Sequence, residues 1–296
     1  MRKAGCGGAC RGAAARLDLT AMHRLPHRAI LSLTGPDTLA LLERTVTHTV
    51  GDWTDGEMRY GALLTPQGKV IADYLALRTG EGVLVDVHED AAEDLLKRLK
   101  LFRLRAAVEI VRDETLAAGI SAEGAADPRS AKLPKRVIAP AATMQDALPG
   151  WDALSIAAGV PEWGRDYRAA EVFPTDINMD LMAGIDYRKG CFVGQEVASR
   201  MKRKGLIRKR TVRLRGAALA AGAEVRAGEA GLLGVVTSVA GTGEGLALIR
   251  TDRFAKSIAT RQPVTVNETP AEIEGAPWLI AEVKAHLEAP ASESGQ

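Results

Sequence analysis

Cysteine is scarce in this chain of 296 residues, occurring only as Cys6, Cys10 and Cys191. Thiols so few and so unevenly placed cannot build a disulfide framework, which fits a reducing compartment and gives cytoplasmic as the expected location. Cys6 and Cys10 have no second pair nearby to complete a tetrahedral set, so no metal site is expected there. No apolar run approaches the ~20 residues that a membrane-spanning helix needs, and no membrane partner is expected. The formal net charge is only +2, which removes any global electrostatic case for nucleic acid or lipid. Aromatic residues make up just 4% of the chain, so a place where several gather carries information.

What remains is long enough for two or three compact units. Residues 1–21 hold Arg2, Lys3, Arg11 and Arg16 among Gly and Ala, without the apolar centre of a secretory signal. They are expected to be a disordered leader, or to precede a true start at Met22; a targeting peptide is a third option, opposed by the absence of serine and the early Asp18. A body is expected over 22–205, a small barrel over 206–288 and a frayed tail over 289–296.

Ala29–Leu33 reads as a first strand, closed by Gly35-Pro36 ahead of a helix carrying Leu39, Leu41 and Leu42. Gly61–Leu77 reads as a hairpin turning at Pro66-Gln67-Gly68. Val83–Val87 adds a strand, and His88-Glu89-Asp90 precedes a helix from Ala91 to about Lys100. Ala118–Leu148 is rich in small residues, with weak strand character at 117–120 and 136–139 and a surface loop at Asp127-Pro128-Arg129-Ser130. Trp151–Gly159 reads as a strand and then a short helix, and a further helix is expected at Met179–Met182. From Thr211 onward, short β-rich pieces separated by glycine argue for a small antiparallel barrel.

The densest chemistry lies in Tyr187-Arg188-Lys189-Gly190-Cys191-Phe192-Val193-Gly194-Gln195-Glu196. Gly190 and Gly194 allow tight turns on either side of Cys191, and Val193, Val197 and Met201 recur at helical spacing beyond it. Cys191 is therefore expected at a helix entrance near Lys189, conditions that favour a thiolate. An ordinary buried cysteine is the competing reading. Downstream runs a series of cations, Arg200, Lys202, Arg203, Lys204, Arg208, Lys209, Arg210, Arg213 and Arg215, with no acid between Glu196 and Glu224. A solvated face, an anchor for a polyglutamyl tail and a patch for tRNA phosphates all fit that run.

The run Lys189-Gly190-Cys191-Phe192-Val193-Gly194-Gln195-Glu196 resembles the signature of the YgfZ family, folate-binding relatives of the glycine cleavage T-protein that assist iron–sulfur protein maturation. The similarity extends through Gly159-Val160-Pro161-Glu162, Phe173–Asn178, Gly184-Ile185 and Gly205–Arg210, and more weakly over Gly61–Asp73. It implies an α+β fold, with a T-protein-like folate-binding body and a C-terminal antiparallel β-barrel. It also implies tetrahydrofolate as cofactor, and an iron–sulfur carrier or scaffold as partner that shares a transient cluster through Cys191. Trp163, Tyr167, Phe173 and Tyr187 would offer apolar faces to a pterin, with Asp176 and Asn178 receiving its ring hydrogens. Ordinary core and a helix cap at Asp176 are the alternatives. The expected folate set is Asp73, Asp176, Asn178, Tyr187, Gly190, Gly194, Gln195 and Glu196, with Cys191 and Lys189 as the reactive pair. Asp73 falls where T-proteins carry an acidic doublet, but Ala72 precedes it here. It reads equally well as an edge-strand acid facing solvent. The functions carried forward are a folate-dependent maturation factor, a one-carbon transferase, a tRNA-modification factor and a folate-binding module without turnover.

Overall fold

The computed structural model describes residues 18–147, 149–203, 207–241 and 243–288. Residues 1–17 of the expected leader, with Cys6 and Cys10, and the expected tail lie outside the described residues; the disorder expected as far as residue 21 is corrected at its end, where the Leu19 carbonyl accepts from the Ala122 amide at 2.8 Å.

The chain opens with β1 (His23–Arg24), β2 (Arg28–Thr34), α1 (Thr38–Thr45), β3 (Met58–Leu64), β4 (Val70–Thr79), β5 (Gly82–His88), α2 (Glu89–Arg103) and β6 (Glu109–Arg112). Strands β3-β4-β5-β2-β6, in that order, form an antiparallel sheet. Helix α2 lies on it because Ala91, Ala92, Leu95, Leu96 and Leu99 make one apolar stripe. The helix begins where His88 accepts a hydrogen bond from the Asp90 amide at 3.2 Å. Next, β7 (Leu116–Ser121) and β8 (Lys135–Pro140) join β1 in a second sheet, and α3 spans Trp151–Ala158. The whole of 151–158 is helical, so the strand expected at its start is corrected. The apolar positions there are too few to distinguish the two periods.

After α4 (Gln195–Arg203) come β9 (Lys209–Gly216), β10 (Glu224–Ala227), β11 (Gly231–Ala240), β12 (Glu244–Arg250), α5 (Thr251–Ala259), β13 (Thr265–Val266), β14 (Thr269–Ile273) and α6 (Pro277–Glu288). Strands β10-β11-β12-β9-β14-β13 close into an antiparallel barrel filled by Val212, Leu214, Val225, Leu233, Val236, Ile249 and Val266. Helices α5 and α6 add Phe254, Leu279 and Val283 to its core. Hydroxyls and amides tie it to the body: the Thr211 amide and Oγ1 both donate to the Asp176 carbonyl at 2.8 Å, and Asn178 Nδ2 donates to the Thr211 carbonyl at 2.8 Å.

Two expectations fail between these layers. Residues 179–182 are consecutive turns, so Asp176 caps no helix there; its carboxylate instead accepts from the Phe173 amide at 3.0 Å. Asp127 and Arg129, read as a surface loop, are buried. Turn-forming residue types reveal the bend but not the distant charges that receive it.

Candidate functional site

Cys191 is exposed, which excludes the buried-cysteine reading. Its neighbours on both sides are anchored. Lys189 turns inward, and its ammonium donates to the Val46 carbonyl at 2.9 Å and the His48 carbonyl at 2.6 Å, with Glu43 at 3.6 Å. Phe192 is buried in the main core beneath that ammonium. The Lys189 carbonyl accepts from Gln195 Nε2 at 2.9 Å, and the Asp186 amide donates to the Thr47 carbonyl at 2.9 Å. The thiol thus stands at the crest of a loop held down at residues 186, 189 and 192. Burial pushes the Lys189 ammonium below its ordinary pKa, against the pull of Glu43. Its donors go to these internal acceptors, so the side chain positions the loop. Lys189→Met is expected to leave two inward carbonyls unpaired, costing about 1–3 kcal/mol, and to speed hydrogen exchange over 186–194.

Gly194 has φ +81°, and a Cβ there would lie 2.5 Å from the Thr65 carbonyl oxygen and 3.1 Å from Gly68 Cα. The start of α4 therefore rests on the Pro66-Gln67-Gly68 turn between β3 and β4. Gly194→Ala is expected to destabilise the protein by roughly 1–3 kcal/mol, read as a lowered urea midpoint. Gly190 is exposed and does not take positive φ. Beside the loop, Tyr187, Gln195, Glu196, Ser199 and Lys202 line an open cleft of about 430 Å³. The Lys202 ammonium stands 4.2 Å from the Tyr187 ring centre.

Asp73 lies on β4, between β3 and β5 rather than at an edge, and it is buried, so the solvent-facing alternative is corrected. The Tyr60 hydroxyl donates to its Oδ2 at 3.1 Å. Burial raises its pKa above the ordinary carboxylate value. Tyr60 also packs on the 179–184 turns, where a Cβ on Gly184 would lie 2.5 Å from its ring. Asp73 and the turns that carry Asn178 therefore both meet Tyr60. Asn178 has φ +61°, and its Oδ1 is a buried acceptor without a partner among the described residues. Tyr187, Gln195 and Glu196 come together at the cleft; Asp73 and the Asp176–Asn178 pair lie apart from it.

Sequence reasoning missed the charges behind Asp73. Arg129 pairs with Asp127 and Glu162, both at 2.8 Å. Arg136, 1% exposed, reaches Asp127 at 3.2 Å and Asp86 at 3.4 Å, and Arg28 binds Asp86. Three arginines thus balance three carboxylates out of water. The sequence offered a signal only for Glu162, inside the family-like Gly-Val-Pro-Glu run. The downstream basic run, by contrast, is partly absorbed internally. Arg210 is buried between Asp180 and Glu282, Arg213 pairs with Glu274, and Arg215 with Glu244. Lys204 lies outside the described residues.

His48 is a further buried group. Burial pushes its pKa down to about 4, and the ring sits among Trp53, Tyr74, Arg59, Glu57 and Lys189. Its folded pKa lies below the unfolded one, so stability is fully present above about pH 6.5 and falls as pH drops toward 4. The expected loss is ~3 kcal/mol over that window, measured as a falling urea midpoint and flattened in His48→Gln.

The fold is that of the T-protein: the glycine cleavage system aminomethyltransferase T from Bartonella henselae superposes with a TM-score of 0.69 over 88% of this chain and 86% of that one, at 15% identity. The expected α+β body with a C-terminal barrel is therefore correct. Residues 208–280 match the family described as the CAF17 C-terminal beta-barrel domain.

Among curated proteins, the chain is similar to iron-sulfur cluster assembly factor IBA57 homologs named as mitochondrial. That of Mycosarcoma maydis is 30% identical over 64% of this chain and 56% of its own length. That of Pyricularia oryzae is 32% identical over 63% and 55%. The chain spans little more than half the length of these relatives. They support the YgfZ resemblance in its broad sense, and they are named as IBA57 factors in particular. They also overturn the cytoplasmic expectation, since their names point to the mitochondrion. A reducing interior, all that the cysteine count addresses, does not distinguish the two.

Proposed function

We propose that this protein is a tetrahydrofolate-dependent accessory factor in iron–sulfur cluster assembly, with Cys191 as a ligand shared with a second protein. The observation that carries the reading is a solvent-exposed sulfur fixed at the crest of a loop that is anchored on both sides. A thiolate is the soft ligand that iron prefers, but one thiolate cannot hold a cluster. Among the described residues no group of three or more ligating side chains surrounds it, so the other ligands come from a carrier or scaffold.

The Asp73 side fits a folate. Asn178 Oδ1 is a buried acceptor without a partner among the described residues, and Asp73 is a buried acid with the Tyr60 and Tyr167 hydroxyls against it. Asp73 and Asn178 would receive ring N–H groups, and the cofactor when bound would supply one-carbon carrier chemistry. Asp73→Asn is expected to lower tetrahydrofolate affinity about tenfold by calorimetric titration. The same change is expected to raise the neutral-pH Tm: a raised carboxyl pKa means the ionised acid strains the fold, and that strain is relieved as pH falls.

The experiment is to incubate the protein with tetrahydrofolate and a scaffold-bound cluster and to record the visible spectrum. Cluster absorption is expected to move onto the wild type and to stay on the scaffold with Cys191→Ser; identical spectra would remove the sulfur from the mechanism. A folate-dependent one-carbon transferase is the second reading, favoured by the burial of Asp73. It would be insensitive to Cys191→Ser and abolished by Asp73→Asn.

A further inference from the structure

We propose that the end of α2 is an interfacial anchor that docks the protein on an anionic lipid bilayer. Leu101, in the last turn of α2, and Leu104, the residue that ends it, are 70% and 79% exposed. Leu104 is also badly suited to its backbone. The Ala106 amide donates to the Arg103 carbonyl at 2.9 Å, closing a turn in which Leu104 takes φ 52° and ψ −113°. Those are the angles of the first central position of a type II′ turn, where glycine is at ease and a branched side chain is strained. A strained residue persists where the surrounding structure over-determines its backbone. Here the backbone of the turn is held by hydrogen bonds, the Ala107 amide donating to Asp37 at 2.8 Å and Arg103 to the Val108 carbonyl at 3.1 Å, while the leucine side chain is left in solvent with no packing role inside the fold.

The surrounding charge identifies what the two leucines meet. From Leu95 to Val108 there is no acid, while Lys97, Arg98, Lys100, Arg103 and Arg105 all fall in this stretch. Lys97 and Arg98 make exposed pairs with Glu93 and Asp94, and Arg103 donates to the Val108 carbonyl. Lys100 and Arg105 stand exposed beside the two leucines. Leucines stack poorly on bases, which argues against a nucleic acid. They also form a projecting knob rather than a groove, and a bilayer accepts a knob without a matching pocket. Two apolar side chains entering the headgroup region, with flanking cations against lipid phosphates, make a reversible anchor. No helix among the described residues is long and apolar enough to cross a membrane, so the contact is at the surface.

The test is co-sedimentation of the full chain with vesicles of phosphatidylcholine alone and of phosphatidylcholine mixed with phosphatidylglycerol. The wild type is expected to pellet with the mixed vesicles only. Leu101→Ser/Leu104→Ser and Lys100→Gln/Arg105→Gln are each expected to cut the bound fraction about tenfold at an unchanged Tm. Leu104→Gly is the decisive variant, expected to keep or raise the Tm while lowering vesicle binding. Wild type remaining in the supernatant with both vesicles, or any of these variants pelleting as the wild type does, overturns the proposal.

Discussion

On the proposed role, Cys191→Ser is expected to abolish support of iron–sulfur enzymes in cells lacking the protein, while leaving unchanged its Tm and the tetrahydrofolate affinity which that role requires. The two halves of that result follow from geometry. The thiol is exposed and the loop is held by Lys189, Phe192 and Gln195, so replacing sulfur with oxygen removes no packing and no anchoring bond. Serine keeps the shape, but its hydroxyl is a hard donor that stays protonated at neutral pH, so it cannot serve as a soft ligand. Aconitase activity in complemented cells is the readout, set beside thermal melts of the purified variant. Full complementation would show that the sulfur has no part in the function.

Arg129→Met is expected to have the largest effect on stability. Removing this guanidinium leaves Asp127 with Arg136 alone at 3.2 Å and Glu162 with Arg28 at 3.8 Å, one positive charge short out of water, a loss of about 3–5 kcal/mol and a Tm lower by on the order of 10 °C. Burial alone would raise both carboxyls, but Arg129 overrides it and holds each below its ordinary pKa. Acids with lowered folded pKa values contribute stability above their unfolded pKa and lose it as pH falls further. The gap between wild type and variant should therefore be full at neutral pH and shrink below about pH 4. Melting both proteins across that range checks it. A gap that does not change with pH would mean that lost packing, rather than unpaired charge, sets the cost.

Whatever followed a local period could be read from the chain. The β3–β4 hairpin, the α2 stripe and the glycine-punctuated barrel each repeat every two or every 3.6 residues, and they lie where they were expected. The loop around Cys191 was also legible, because its glycines and its thiol are contiguous. Long-range electrostatics were not. Nothing near Asp127 says that Arg129 will reach Glu162 across 33 residues, so a buried ion pair looked like a surface turn. Lys189 shows the same limit. A lysine two residues from a cysteine looks like an activator, yet its side chain reaches carbonyls more than 140 residues away. Helices α5 and α6 were absent from the reading for another reason. Phe254, Ala255 and Ile258 have helical spacing, but the β-rich pieces around them dominated the interpretation.

The bare contact at Gly68 and Gly194 has a mechanical consequence. With no side chain between them, the β3–β4 turn and the first residues of α4 bear directly on each other, and a Cβ on Gly68 would meet Val197 at 3.1 Å. The strand that leaves this turn carries Asp73, and the helix that leaves it follows the Cys191 loop. A displacement of that strand would therefore reach the base of the Cys191 loop with no side chain between to absorb it.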